Sequence, residues 1–168
     1  MLAMDDIEEL VRTALDATGT AYEIVPCDPA LADTAAFCQA YGYSPDESAN
    51  TIVVAGKGDP LRLVACIVLA TTRLDVNGAV RRRMGVRKAS FASADDTMAA
   101  TGMAIGGVTP FALPPSLEIW VDAEVMRRDR LILGGGSRSM KVLAVPATLE
   151  ALPNVTVVEG LATPVVSA

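Results

Sequence analysis

Five consecutive residues in this chain have the types and spacing to act on a substrate through the backbone: Gly106-Gly107-Val108-Thr109-Pro110. Glycines ahead of a proline let main-chain N–H groups converge on one point, and such donors can hold a carbonyl or a developing oxyanion without any titrating side chain. A purely structural turn is the alternative that composition leaves open. Backbone chemistry matters here because the 168 residues include no His. Its absence removes Ser-His and Cys-His nucleophilic arrangements, any His-ligated metal and the side chain most used for proton transfer near neutrality. A Ser or Thr nucleophile would have to draw on a lysine. The lysines are Lys57, Lys88 and Lys141, and each also reads as a solvated turn or edge residue.

The other candidates are weaker. Gly134-Gly135-Gly136-Ser137 follows an apolar run as a phosphate cradle does, yet both the GxxxxGK[ST] and GxGxxG spacings are missing. The carboxylate pairs Asp5/Asp6, Glu8/Glu9 and Asp95/Asp96 stand where helices begin, so they read as solvated acids that complement the helix dipole. Cys27, Cys38 and Cys66 are odd in number and lack CxxC spacing, which indicates neither a disulfide framework nor a zinc site. They read as small buried hydrophobes in a reducing cytoplasm. No cofactor or metal is expected.

Charge narrows the partners. With 14 Lys+Arg against 20 Asp+Glu, the net charge of −6 argues against indiscriminate binding along a nucleic acid backbone. Ten acids fall in the first 47 positions beside one base, Arg12. Ten of the 14 bases lie in two stretches, Arg81, Arg82, Arg83, Arg87 and Lys88, then Arg127, Arg128, Arg130, Arg138 and Lys141. If the fold unites those stretches, an acidic protein carries one local basic face; two separate solvated faces are the alternative. No helix-turn-helix spacing or sustained basic helix points to DNA. Met1 is followed by acids rather than a basic leader, and no apolar run reaches roughly 18 residues, so the expectation is a soluble cytoplasmic protein with no membrane partner.

The elements that must position the glycine loops can be read from periodicity. Ile7, Leu10, Val11, Ala14 and Leu15 form the stripe of an amphipathic helix, with Asp5 as cap, Glu8 in capping-box spacing and Gly19 as stop. Tyr22 to Val25 reads as a strand and Thr34 to Ala40 as a helix ending at Gly42. Thr51 to Val54, the turn Gly56 to Pro60 and the apolar Leu61 to Leu69 make a hairpin at the centre of a sheet, its second strand buried on both faces. Asp75 caps a basic segment from Ala79 to Met84. Val86 to Phe91 is a short strand, and Asp95 or Asp96 caps a helix through Ala100. Residues Thr101 to Pro115 carry too many glycines and prolines for regular structure and too much apolar surface to trail in solvent, so a half-buried loop is expected. Leu117 to Val121, Arg130 to Leu133, Val142 to Val145 and Val155 to Val158 read as strands, and Pro146 to Leu152 as a short helix. One domain spanning residues 1–168 follows, α/β or α+β in class, with a mixed and mostly antiparallel central sheet and surrounding helices.

Three runs together resemble a known family. Thr101-Gly102-Met103-Ala104-Ile105-Gly106-Gly107-Val108-Thr109-Pro110-Phe111, Ser48-Ala49-Asn50-Thr51-Ile52-Val53-Val54 and Gly134-Gly135-Gly136-Ser137-Arg138 resemble the YbaK-like family. That family includes the editing domain inserted in bacterial prolyl-tRNA synthetases and its free-standing relatives. The likeness extends over roughly residues 5 to 160. It implies the editing-domain fold and a deacylase that hydrolyses the ester of a mischarged aminoacyl-tRNA carrying a small amino acid. Catalysis then falls to Gly106, Gly107 and Asn50, with the substrate's terminal ribose hydroxyl assisting. Thr101, Gly102, Ile105, Val108, Thr109, Pro110, Phe111, Gly135, Gly136 and Ser137 surround the aminoacyl group, with Phe111 the nearest aromatic for base stacking. Lys57, Arg81, Arg82, Lys88, Arg138 and Lys141 are the candidate contacts to tRNA. Partners are an aminoacyl-tRNA and, through it, a synthetase.

One departure stands out. The family usually carries a lysine immediately before the Thr of the Thr-Leu/Ile-Val strand, and this chain has Asn50. An amide donates and accepts hydrogen bonds but brings no positive charge. Either another base substitutes, with Lys57, Lys141 and Arg138 as candidates, or the chain is a non-catalytic module that binds tRNA ends or a synthetase through the same pocket.

Overall fold

The computed structural model describes residues 3–165. The first helix, α1 (Met4–Thr18), buries Ile7, Val11 and Leu15 and stops at left-handed Gly19. Its N-cap is Ala3 instead of Asp5, and Glu8 makes no capping box because its carboxylate accepts a hydrogen bond from the Ser137 hydroxyl at 2.6 Å. Strand β1 (Tyr22–Pro26) and helix α2 (Thr34–Tyr41) follow, then the hairpin β2 (Ala49–Gly56) and β3 (Arg62–Leu69). A short β4 (Thr72–Leu74) leads to a π-helical turn over Val76–Val80, where the Asp75 carboxylate accepts from the amides of Gly78 and Ala79. It runs into α3 (Arg81–Met84). Then come β5 (Ala89–Phe91) and α4 (Ala94–Thr101), capped by the hydroxyl of Ser93 and not by Asp95 or Asp96. After the Gly/Pro loop lie β6 (Glu118–Asp122), α5 (Ala123–Met126), β7 (Leu131–Gly134), β8 (Met140–Ala144), α6 (Ala147–Glu150), β9 (Val155–Val158) and β10 (Ala162–Pro164).

The hairpin is central, as its pattern requires. The main sheet runs β5-β2-β3-β6-β9, with β3 in the middle. Its two ladders on the β2 side are antiparallel and its two on the β6 side are parallel, so this sheet is evenly mixed. Antiparallel pairing also builds the smaller β1-β8-β7 and β10-β4 sheets. Alternation along β3 sends Ala65, Ile67 and Leu69 to a core shared with α1 and Phe111, and Val64, Cys66 and Val68 to a second core shared with Met84, Trp120 and Leu161. Both faces are dry. The small strands β4 and β10 and the single-turn α5 were beyond the periodicity, being too short to show one.

Between β6 and β10 lies a buried carboxylate. Asp122 is 1% exposed; its Oδ1 accepts from the amides of Leu161 and Ala162 at 3.1 and 3.4 Å, while Oδ2 has no partner. Burial raises its pKa against the pull of those amides. Replacing Asp122 by Ala strands the buried Leu161 amide and the part-buried Ala162 amide and is expected to cost about 1–3 kcal/mol. Asp122→Asn keeps an acceptor and removes the charge. Its denaturation midpoint should equal or exceed that of the parent at neutral pH. Any advantage should shrink as pH falls through the raised Asp122 pKa, where the parent carboxyl is protonated in the fold.

Candidate functional site

The glycine loops are a joint structure. Ala104 to Gly107 forms a tight turn in which the Gly107 amide donates to the Ala104 carbonyl at 3.0 Å and Gly106 adopts φ +91°, the left-handed value a type II turn needs at its third residue. Behind it the Gly136 amide donates to the Gly107 carbonyl at 2.7 Å. No side chain fits between the loops. A Cβ on Gly107 would sit 2.8 Å from the Ser137 backbone, one on Gly136 would meet Ile7 of α1 at 2.6 Å, and one on Gly134 would collide with the Val108 carbonyl. Gly134 to Ser137 is therefore the anvil on which Gly106 is held, and the phosphate-cradle alternative gives way to a packing role.

In front of the turn lies a hollow of about 320 Å³. Asn50, Ile105, Gly106, Val108, Gly134 and Lys141 all line it. Among the described residues the amides of Gly106 and Val108 have no acceptor, whereas the Gly107 amide, expected beside Gly106 as a donor to substrate, is spent on the Ala104 carbonyl. The opposite wall is a gap in the sheet. β5 pairs with β2 only at Val54–Gly56, and on the other flank β7 touches it by one bridge, Ser48 to Ile132. The Ser48 carbonyl accepts from Ala70 and the Val53 carbonyl from Ala92, so even-numbered residues of β2 bond toward β3 and odd-numbered ones away from it. Thr51 thus presents its own N–H and C=O to the hollow with no strand to take them. Its Oγ1 is buried and unpartnered.

Asn50 and Lys141 share this floor. The Asn50 Oδ1 accepts from the Thr34 hydroxyl at 2.7 Å, leaving its amide N–H groups unused. Lys141, 7% exposed, donates from Nζ to the Ala32 carbonyl at 2.7 Å and stands 5.4 Å above the Phe37 ring. Burial lowers its pKa, partly countered by Cys27, Cys38 and Asp33. It supports the hollow from below and cannot be a surface contact to tRNA. Arg138 sits at the rim, donating from Nε to the Pro29 carbonyl at 3.0 Å and from Nη1 to Asp33 and the Ile105 carbonyl at 3.3 Å each. Through Ile105 it braces the turn.

Several expected substrate contacts lie elsewhere. The Thr101 hydroxyl donates to the Thr97 carbonyl and Gly102 caps α4, so both finish a helix. Thr109 is fully buried and Pro110 lines a separate crevice against α1. Phe111 is fully buried in the core and offers no face to a base. Gly135 packs on Met140, and Ser137 spends its hydroxyl on Glu8. The thiols are equally withdrawn: burial raises Cys27 and Cys38 and pushes Cys66 up to about 12, so none is a ready nucleophile.

The two basic stretches do not make one face. Carboxylates take up the second: Arg127 bridges Glu124 and Glu159, Arg128 meets Asp46 at 3.0 Å and Arg130 meets Glu47 at 2.5 Å. The first joins the hairpin turn instead. Lys57, Arg81, Arg87 and Lys88 line a common cleft, while Arg82 is outside it. Sequence reasoning missed Thr34, Thr51 and Phe91 as neighbours of the hollow. Only the stop of β5 at Phe91, short of the open stretch of β2, could have signalled them.

The fold is mixed α/β, and its hollow is lined in part by residues whose backbone amides are unpartnered. Residues 28–152 match the aminoacyl-tRNA editing domain, and the chain belongs to that family. Its relatives include the uncharacterised protein YwhH of Bacillus subtilis (strain 168), 25% identical over 139 residues that cover 83% of this chain and 86% of that one. The crystal structure of a candidate trans-editing enzyme for prolyl tRNA synthetase superposes with a TM-score of 0.79 at 23% identity, covering 95% of this chain and 98% of that one. Hypothetical protein APE2540 gives the same TM-score at 24% identity, with 90% and 98% covered. At such identities the structural likenesses establish the fold. Among the described residues no helix is long and apolar enough to cross a membrane.

Lys141 yields a test of its burial. With its pKa lowered in the fold, the unfolded chain holds the proton to higher pH, so this group makes stability rise with pH between its two pKa values. Below that window the parent carries the full cost of a buried ammonium. The stability of Lys141→Met minus that of the parent should therefore fall as pH rises from neutral into the alkaline range; a pH-independent difference in denaturation midpoint would sink the assignment.

Proposed function

We propose that this chain is a trans-acting deacylase, a single cytoplasmic editing domain that hydrolyses the ester of a tRNA mischarged with a small amino acid. The observation that carries this reading is the pair of unpartnered amides at Gly106 and Val108, two residues that line the hollow. The ester carbonyl rests on these donors. As water adds to the carbonyl carbon, the oxygen gains charge where the donors already point, and one such donor is worth about 2.7–4 kcal/mol in a preorganised site. A proton of the attacking water passes, through solvent or the neighbouring free ribose hydroxyl, to the esterified ribose oxygen. That oxygen leaves as a hydroxyl when its bond to the acyl carbon breaks, and the amino acid is released as the carboxylic acid. The Thr51 carbonyl accepts from the substrate's α-ammonium, and the Asn50 amide N–H groups reach the terminal nucleotide in place of a cation.

Val53, Ile105 and Val108 form the apolar part of a wall that also carries Asp33, Thr34 and Thr97. On this reading the bulk of Val53, Ile105 and Val108, together with the tRNA end occupying part of the hollow, limits the size of the side chain that enters. Exclusion by size suits an editing step, because a single methylene gives a synthetic site only about 1–3 kcal/mol of discrimination.

A second reading is favoured by Asn50 itself. Its carbonyl is tied to Thr34 and it carries no charge, while the lysine beneath it is buried and held by the Ala32 carbonyl, so neither stands where the family's lysine does. On that reading the domain holds tRNA ends, or a synthetase, without turnover.

Purified protein incubated with Ser-, Ala-, Thr- or Cys-tRNA separates the two. Ester loss above the buffer rate for at least one of these supports the enzyme; binding with no loss for any supports the module. Gly106→Ala puts a Cβ into the Arg138 guanidinium and strains the turn, so it should slow hydrolysis by about 100-fold while binding of uncharged tRNA persists. The rate should climb with hydroxide near neutrality. An acid limb near about pH 6–7 would reveal a general base this chain does not offer.

A further inference from the structure

β5 is the edge of the main sheet, and it separates two concavities that share its backbone. Phe91 and Ala92 line the hollow; Ala89 and Ser90 line the basic cleft, which measures about 710 Å³. On the neighbouring strand Val53 belongs to the hollow and Ala55, opposite Ser90, to the cleft. The two are therefore consecutive along one strand.

The cleft is uniformly cationic. Lys57, Arg81, Arg87 and Lys88 come from the hairpin turn, α3 and the approach to β5, and no carboxylate lines it. None of the four is paired with an acid among the described residues, in contrast to Arg127, Arg128 and Arg130. The geometry is built. The Lys57 amide donates to the Lys88 carbonyl at 2.9 Å, and the Arg81 Nε donates to the Asn77 carbonyl at 2.8 Å, which fixes the guanidinium while its terminal nitrogens stay free. In a protein of net charge −6, four unopposed cations in one recess are a local exception that fits repeated phosphates.

Phe91 stands at the boundary. It is 60% exposed, the most open of the large apolar side chains described, whereas Phe37 and Phe111 are buried. An exposed phenyl next to a cationic groove is the combination that binds single-stranded nucleic acid, stacking for the base and charge for the backbone. We propose that the β5 edge is the track for the single-stranded 3′ end of the substrate RNA. Phosphates occupy the Lys57/Arg81/Arg87/Lys88 cleft, a base near the terminus stacks on Phe91, and the terminal aminoacyl ester enters the hollow. The ligand class rests on the deacylase reading; the track itself is carried by the cleft and Phe91.

The test uses uncharged RNA, so that binding is read apart from hydrolysis. A hairpin with a four-nucleotide 3′ overhang and the same hairpin made blunt are titrated against the full chain over a range of salt. The overhang should bind more tightly. Phe91→Ala should weaken its binding about 5- to 150-fold with the salt slope unchanged, and Phe91→Tyr should restore it. Arg87→Gln with Lys88→Gln should lower the slope of log affinity against log salt by about 0.7 for each phosphate no longer neutralised. Equal affinity for overhang and blunt hairpins, or no effect of Phe91→Ala, overturns the track. Because Phe91 is mostly solvent-exposed, its removal leaves the core intact. Should the parent deacylate mischarged tRNA while these variants bind as it does, the track fails and the deacylase stands. Tight, Phe91-dependent binding without deacylation leaves the track standing and removes the enzyme.

Discussion

The Gly136 amide reaches the Gly107 carbonyl at 2.7 Å, and this hydrogen bond requires two stretches of backbone to meet without side chains between them. Each neighbouring glycine follows from it. Gly107 is small because Ser137 lies behind it, and Gly134 because the Val108 carbonyl does. Gly136 is small because α1 presses Ile7 and Val11 against the same loop. The helix, the second glycine loop and the turn at Ala104 to Gly107 thus form a stack in which the outermost layer, Gly106, inherits its position from the core. A site that works through amides needs this, since an amide can be aimed only by fixing the backbone that bears it.

Charge is partitioned with comparable economy. The acidic N-terminal third does not merely make the surface negative: Asp46 and Glu47 occupy Arg128 and Arg130, and Asp33 occupies Arg138. Exposed pairs like these add little stability, typically under about 1 kcal/mol each. They neutralise Arg127, Arg128, Arg130 and Arg138, while the four cations of the recess stand without a paired acid among the described residues.

Much of the scaffold was legible because long elements carry a period. The stripe of α1, the hairpin and the doubly buried β3 all followed from residue spacing. The glycine-proline loop was legible too, since its composition allows no regular structure. What spacing could not show was which faces of that loop turn inward. Thr109, Pro110 and Phe111 adjoin Gly106 in sequence yet fall into the core, while Thr34, Thr51 and Phe91, distant in sequence, meet it across the hollow. Lys141 was misplaced for the same reason. A lysine in a strand reads as solvated, and only the packing of Phe37 and the Ala32 carbonyl around it shows otherwise. Capping was misread where an acid stood one or two residues inside a helix whose true cap was Ala3 or Ser93.

The interrupted pairing of β2 has a wider consequence. Thr51 offers backbone on the side where β5 has ended, while the side chains of Val53, Ile105 and Val108 give the recess its bulk. In the proposed deacylase, reactivity and selectivity are consequently encoded in different atoms of the same stretch. A lineage could enlarge or shrink the chamber through ordinary point substitutions without once disturbing the backbone dipoles that line it.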